Sequence, residues 1–287
     1  MFKIIIAGLL MTMCACASGK AAAPGRIVSL APSYDETLIE LGLQDRIVGV
    51  TTSSDYLEEV RRVERVGLWI SPNIEKIITL QPDIVLAVAF AGQQTAVRKL
   101  AALGFRVMVL DDTRGIEEIF VKTKEIGDVL GERARAEKLL ERMRRTIADT
   151  RRLTAMLSVR PRVYVEIGYD SLITCGKGSF INDLIEIAGG KNIAGEIDRH
   201  FPRISVEFIL RQDPEVVILP YMGRNSGKEA VKQRQGWANI SAVRNGRIYD
   251  DLGFHAITIP SPRLILHGLP ELLERIHPEI AEGEAEE

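Results

Sequence analysis

Cysteine is scarce: three in 287 residues, two of them within the first 16. Three thiols cannot build the paired framework that staples small secreted domains, so stability must come from a buried core. The length suffices for one large domain or two of ordinary size. There is also no surplus of charge of one sign. Thirty-seven Lys+Arg stand against 39 Asp+Glu, a net charge of −2, and the pI is near 6.2. That balance excludes the basic footprint of a nucleic-acid binder. Histidine is rare as well. His200, His255, His267 and His277 show no metal-ligand spacing; His267 and His277 read as structural or surface residues. Neither G-x-x-x-x-G-K-[ST], G-x-S-x-G nor H-E-x-x-H occurs, so no enzyme is expected. What is there is an ordinary globular composition, 46% hydrophobic and 26% charged.

Residues 1–17 read as an export signal. Lys3 supplies a positive start, residues 4–13 are apolar, and Ala15-Cys16-Ala17 is a small-residue cleavage site. The apolar stretch is too short to span a bilayer, which takes about 20 residues. Met13-Cys14-Ala15-Cys16 resembles a bacterial lipobox, with Cys16 as the lipidated residue, although Leu usually stands three before it. Residues 18–25 form a tether. The expected location is periplasmic or extracytoplasmic, touching the membrane only through a lipid anchor. Cys175 is then a single thiol, and no structural disulfide is expected.

Short apolar runs at 26–30, 46–51, 83–90 and 106–111 have strand character, and helical patterns lie between them at 34–43, 74–80 and 94–103. Such alternation implies βαβ units and a mostly parallel sheet. Residues 116–158 carry no strand signal. Gly127 and Gly131 punctuate them, and 132–157 reads as one long helix of roughly 39 Å, with Leu139, Met143 and Ile147 on one face. Strand and helix signals resume at 162–167, 216–220 and 247–250. An internal repeat decides the organisation. Ile74-Glu75-Lys76-Ile77-Ile78 runs on to Gln81-Pro82-Asp83-Ile84-Val85-Leu86; Val206-Glu207-Phe208-Ile209-Leu210 runs on to Asp213-Pro214-Glu215-Val216-Val217-Ile218 without a gap. The expected fold is therefore α/β, with two Rossmann-like lobes joined by one long helix. The N-terminal lobe covers 26–115, the helical segment 116–158, the C-terminal lobe 159–280 and an acidic tail 281–287.

Parallel α/β sheets bind ligands at the carboxyl ends of their strands, so facing lobes make a cleft. The strand-end loops hold Tyr34, Thr51 to Tyr56, and Phe90-Ala91-Gly92 in the first lobe. The second offers Gly168-Tyr169-Asp170, Pro220-Tyr221 and Gly253-Phe254-His255. Asp111-Asp112 reads as a loop cap, because adjacent strand residues point to opposite faces. Gly176-Lys177-Gly178-Ser179 is either an anion cradle or, the stronger reading, a tight turn and helix cap. A two-lobed, exported chain without catalytic motifs points to capture rather than conversion.

The sequence resembles the cluster of bacterial ABC-transporter substrate-binding proteins that includes vitamin B12-, iron–siderophore- and haem-binding members. The resemblance covers roughly residues 24–278. Its carriers are Arg26-Ile27-Val28-Ser29-Leu30-Ala31-Pro32 with Glu36, Val48-Gly49-Val50 leading to Asp55-Tyr56, Val66-Gly67, Asn73-Ile74-Glu75-Lys76-Ile77 and Leu80-Gln81-Pro82-Asp83-Ile84-Val85. In the second lobe they are Gly176-Lys177-Gly178-Ser179-Phe180, Ala188-Gly189-Gly190-Lys191-Asn192 and Ser261-Pro262-Arg263. The resemblance implies two lobes bridged by a helix with a small closure motion. It also implies a permease dimer docked by one glutamate per lobe, here Glu75 and Glu207. Trp69 stands where B12-binding members have a cleft Trp, and Phe201 where they have another. Tyr34, Tyr56, Phe90, Tyr169, Phe254 and His255 complete the expected ligand-binding set. Asp55-Tyr56-Leu57 departs from the family's Asp-Tyr-Pro, and the Arg usual just before the Ser/Gly-Pro-Arg is missing.

The ligand is expected to be a corrinoid, delivered by a monomer to an ABC importer. The cleft loops hold few basic residues, chiefly Lys177 and Arg224, which suits a near-neutral ligand better than an anionic ferric siderophore. Haem would need an axial Tyr or His, for which Tyr169 and His255 are placed. Siderophore and haem remain the alternatives, and a corrinoid- or chelate-processing enzyme is a more distant one. No resident cofactor is expected.

Overall fold

The computed structural model describes residues 23–168, 171–220 and 227–283. The export signal with Cys16, most of the tether, Tyr169, Tyr221, Arg224 and the end of the acidic tail lie outside the described residues.

The first lobe contains β1 (Ile27–Ser29), β2 (Ile47–Val50), β3 (Glu64–Arg65), the hairpin β4 (Gly67–Leu68) and β5 (Ser71–Pro72), β6 (Ile84–Val88) and β7 (Val107–Leu110). Apart from the antiparallel hairpin these form one parallel sheet in the order β3-β2-β1-β6-β7. The second lobe contains β8 (Arg162–Val165), β9 (Lys191–Asn192), β10 (Val216–Ile218) and β11 (Ile248–Tyr249), parallel in the order β11-β10-β8-β9. Strand order reverses between β1 and β6, and again between β8 and β10. Such switch points open a crevice at the carboxyl edge of a sheet. The two-residue strands β3, β4, β5 and β9 carry no run long enough to be read from sequence.

The helices among the described residues include α1 (Pro32–Glu40), α2 (Ile74–Thr79), α3 (Gln94–Ala102), α4 (Ile116–Val129), α5 (Arg133–Thr154), α6 (Phe180–Ile187) and α7 (Val206–Gln212). The bridging helix α5 is shorter at both ends than its sequence pattern, about 33 Å at 1.5 Å per residue. Gly131 makes the turn before it at φ +75°. Gly127 does not break α4. It lies inside the helix, where a Cβ would strike Ala136 of α5, so it permits close helix packing.

The central strands bury both faces, which is why they read as unbroken apolar runs. Ile27, Ile84 and Leu86 face one core with Val163, Val165, Val216 and Ile218 of the second lobe, and with Leu139, Met143 and Ile147 of α5. Their neighbours Val28, Val85 and Ala87 pack outward against Ile77 and Leu100. In the second lobe Tyr164, Val217 and Leu219 pack with Ile209 and Trp237. The main core is thus continuous across both lobes.

Candidate ligand-binding cleft

A cavity of about 400 Å³ lies at the carboxyl edge of the first sheet, closed on its far side by the segment following β11. α1 begins directly after β1, with Pro32 in its first turn, where a missing N–H costs nothing. Tyr34 is thereby turned into the cavity floor. Trp69 comes from the tip of the β4–β5 hairpin. Gly67 opens that hairpin at φ +102°, and a Cβ there would approach Asn73 N to 2.8 Å. The Trp69 ring stacks on Phe90 at 4.5 Å and 22°. Gln93 holds this corner together. Fully buried, it donates through Nε2 to the carbonyls of Leu30 (2.9 Å) and Trp69 (3.0 Å), and its Oε1 accepts from Val88 N (3.0 Å). One amide therefore ties the ends of β1 and β6 to the hairpin tip.

The opposite wall is a short helix, Phe254–Thr258, with Ile259 and Pro260. His255 lies flat on Tyr56 at 3.4 Å and 2°, and Phe254 meets His255 edge-on at 5.4 Å. Tyr56 Oη donates to Glu36 Oε1 (2.5 Å), and Ser261 Oγ donates to the other oxygen of the same carboxyl group. Arg263 reaches Glu40 (3.2 Å) and Glu59. Glu36 and Glu40, one turn apart on α1, thus clamp the second lobe's wall to the first lobe. Glu36 is 2% exposed, and burial pushes its carboxyl up to about 7. Burial does the same to Asp35, which accepts from Ser54.

Burial, helped by the nearby Asp112, Asp111 and Glu125, holds the Tyr34 phenol protonated well above its ordinary range. Burial and Glu36 do likewise for Tyr56. Burial lowers the His255 imidazole, which favours its neutral form. The formally charged residues on the cavity wall are Asp111 and Asp112, just after β7, and no described Lys or Arg lines it. Among the described residues no group of three or more His, Cys, Asp or Glu is placed to hold a metal ion.

Of the expected ligand-binding set, Tyr34, Trp69, Phe254 and His255 line one cavity, while Tyr56 stacks on His255 and Phe90 on Trp69. Phe201 stands apart. It is 45% exposed on the second lobe, edge-on to Phe180 at 5.9 Å. Tyr169 lies outside the described residues. The Gly176–Ser179 segment is a tight turn and cap: Ser179 Oγ donates to Gly176 O (2.8 Å) and accepts from Asn182 N (3.2 Å), while Lys177 points to solvent. Glu75 and Glu207 are exposed in the first turns of α2 and α7. Cys175 is buried and its thiol is pushed up to about 12, which makes it a poor nucleophile.

Sequence reasoning missed the roles of four residues. Asp112 does cap its own loop, accepting from Thr113 N (3.0 Å), but it and Asp111 also face the cavity. The clue was available, since they end a strand. Gln93 and the wall-clamping role of Glu36 had no local signal, because their partners are far away in sequence.

An aromatic cavity at the carboxyl edge of parallel strands, walled by a second lobe, defines a two-lobed binding protein. The chain belongs to the periplasmic binding protein family, whose sequence profile matches residues 27–252. It is 32% identical over 261 residues to an uncharacterized ABC transporter substrate-binding lipoprotein of Bacillus subtilis, covering 89% of this chain and 81% of that protein. A cobalamin-binding protein of Halobacterium salinarum is 33% identical over 252 residues, 84% of this chain and 67% of its own. Among solved structures, the periplasmic haem-binding protein RhuT from Roseiflexus superposes with a TM-score of 0.78 at 25% identity, covering 88% of this chain and 98% of that one. The vitamin B12-binding protein BtuF of Vibrio cholerae gives 0.72 at 26%, with 91% and 98% covered. The chain is accordingly a substrate-binding protein of an ABC importer that works outside the cytoplasm. No helix among the described residues is long and apolar enough to cross a membrane.

Proposed function

We propose that the protein captures a corrinoid of the vitamin B12 type in this cleft and delivers it, unconverted, to the importer's permease. The observation that carries the reading is the cavity wall: Tyr34, Trp69, Phe254 and His255 with no described Lys or Arg. A corrinoid is flat, amide-rich and nearly neutral, so it calls for aromatic faces and hydrogen-bonding edges. Anionic ferric siderophores and the propionates of haem call for Arg or Lys. Tyr56 Oη is already engaged as a donor to Glu36, which disfavours its use as a ligand to iron. The name of the Halobacterium relative points the same way. The haem reading rests on His255, a neutral imidazole on the cavity wall that suits an axial position.

Delivery is assigned to Glu75 and Glu207, exposed at repeat-related positions on the two lobes and suited to arginines of a two-fold permease. Anchoring through an acylated Cys16 fits the lipoprotein name of the Bacillus relative. The binding test is direct. The purified protein is mixed in turn with cyanocobalamin, ferric siderophores and haemin, then desalted. Retained corrinoid absorbance is expected; retention of the iron compounds alone overturns the reading.

A further inference from the structure

Asp111 and Asp112 line the 400 Å³ cavity. Both residues also line a second hollow of about 600 Å³ that continues past β7 along α4. The two carboxylates thus stand on the boundary that the two hollows share, within reach of a ligand that extends beyond the first. The second hollow adds Glu118 and Glu125 against Arg114 and Lys122. Lys122 is committed elsewhere. It is 9% exposed and donates to the Asp111 carbonyl (2.5 Å) and to Thr113 Oγ1 (2.6 Å), with Glu118 at 4.0 Å. A buried ammonium thus props the 111–113 loop from beneath, while both carboxylates on top are exposed and form no ion pair among the described residues. Their field reaches the cavity floor, where it helps to keep Tyr34 protonated.

We infer that Asp111 and Asp112 are specificity-determining residues, admitting ligands edged with amide N–H groups and rejecting ligands edged with carboxylates. Resting on the cleft reading above, this narrows the substrate to amidated, neutral or cationic macrocycles. An amide N–H₂ brought against either oxygen makes a charge-assisted hydrogen bond. A ligand carboxylate in the same place must be repelled or take up a proton, and either lowers affinity. Selection here works as much by rejection as by attraction.

The test uses two probes with one ring: dicyanocobinamide, edged with amides, and dicyanocobyrinic acid, edged with carboxylates. Their dissociation constants are measured by equilibrium dialysis on the wild type, Asp111→Asn, Asp112→Asn and the double variant. Asn keeps an oxygen to accept from Thr113 N, so the loop can persist. The wild type should favour the amide by at least about tenfold, and the double variant should shrink that ratio by about tenfold, weakening the amide and tightening the acid. An equal loss for both probes would mark the aspartates as merely structural and overturn the inference. So would an unchanged ratio, or a wild type that prefers the acid. If the wild type holds neither corrinoid, the corrinoid reading fails, and the same comparison with haemin and its diamide decides the selector. Retention of none of the four overturns both.

Discussion

Gln93 is uncharged and unreactive, yet three backbone groups from three separate elements depend on it. Replacing it with Leu leaves the Leu30 carbonyl and the Val88 N–H without a partner in the interior and frees the Trp69 carbonyl at the hairpin tip. Unsatisfied buried groups cost about 1–3 kcal/mol each. Gln93→Leu should therefore lower stability by about 2–4 kcal/mol in urea unfolding and weaken binding of the cleft ligand, because the tip carrying Trp69 is released. A variant as stable as the wild type would show that the amide is dispensable. At this scale the sequence was only partly legible. Tyr34, Trp69, Phe254 and His255 could be read as loop aromatics near strand ends. Gln93 could not, since a glutamine between a loop and a helix looks like a surface residue until its partners are brought to it. Phe201 illustrates the converse: a loop aromatic that the fold places on the other lobe, against Phe180.

Among the elements, α1 is unusual in burying two adjacent carboxyl groups, Asp35 and Glu36. Burial raises both to about 7, from ordinary values of 3.8 and 4.5. The folded chain therefore holds these protons more tightly than the unfolded chain does. Their stabilising contribution is complete below about pH 4 and is lost progressively as the pH rises to about 7. The urea midpoint should be lower at about pH 8 than at about pH 5, and Asp35→Asn, which mimics the neutral acid, should reduce that difference. An equally large drop in the variant would remove Asp35 as its cause. The repeat-related helices α2 and α7 show the opposite case, in which sequence suffices. Asn73 and Ser205 cap them in the same way, accepting from Lys76 N and Phe208 N. Both helices end at a left-handed residue before proline, Gln81 and Asp213, each at φ 44°. Proline disfavours helical backbone at the preceding residue, so both stops were written locally.

Across the whole molecule, one core runs through both sheets and α5. The Glu36–Ser261 bond and the Arg263 pairs with Glu40 and Glu59 join the lobes near the cleft. Such a frame suits a binding protein that moves little when it loads. Its two lobes then present Glu75 and Glu207 as a fixed pair. The double variant Glu75→Ala with Glu207→Ala should abolish ligand uptake by cells that carry the cognate importer while leaving ligand affinity within about twofold, since a surface charge contributes to docking and neither glutamate lines the cavity. Loss of ligand binding in that variant would refute a docking role.

The sequence by itself determined the two-lobed α/β plan, the helix between the lobes and the family. Apolar runs, helix caps, prolines and an ungapped repeat are local patterns, and local patterns survive being read along the chain. Only the tertiary structure decided which side chains share the cleft. Trp69 meets Phe90, Gln93 meets Leu30, and Glu36 meets Ser261 across most of the chain's length. Glu36 apart, which lies on α1, these are loop and strand-end residues, whose positions follow no period and are set by where two sheets and a hairpin come to rest. For the same reason Asp111 and Asp112 read as a loop cap in sequence and stand in the fold as the charged edge of the cavity.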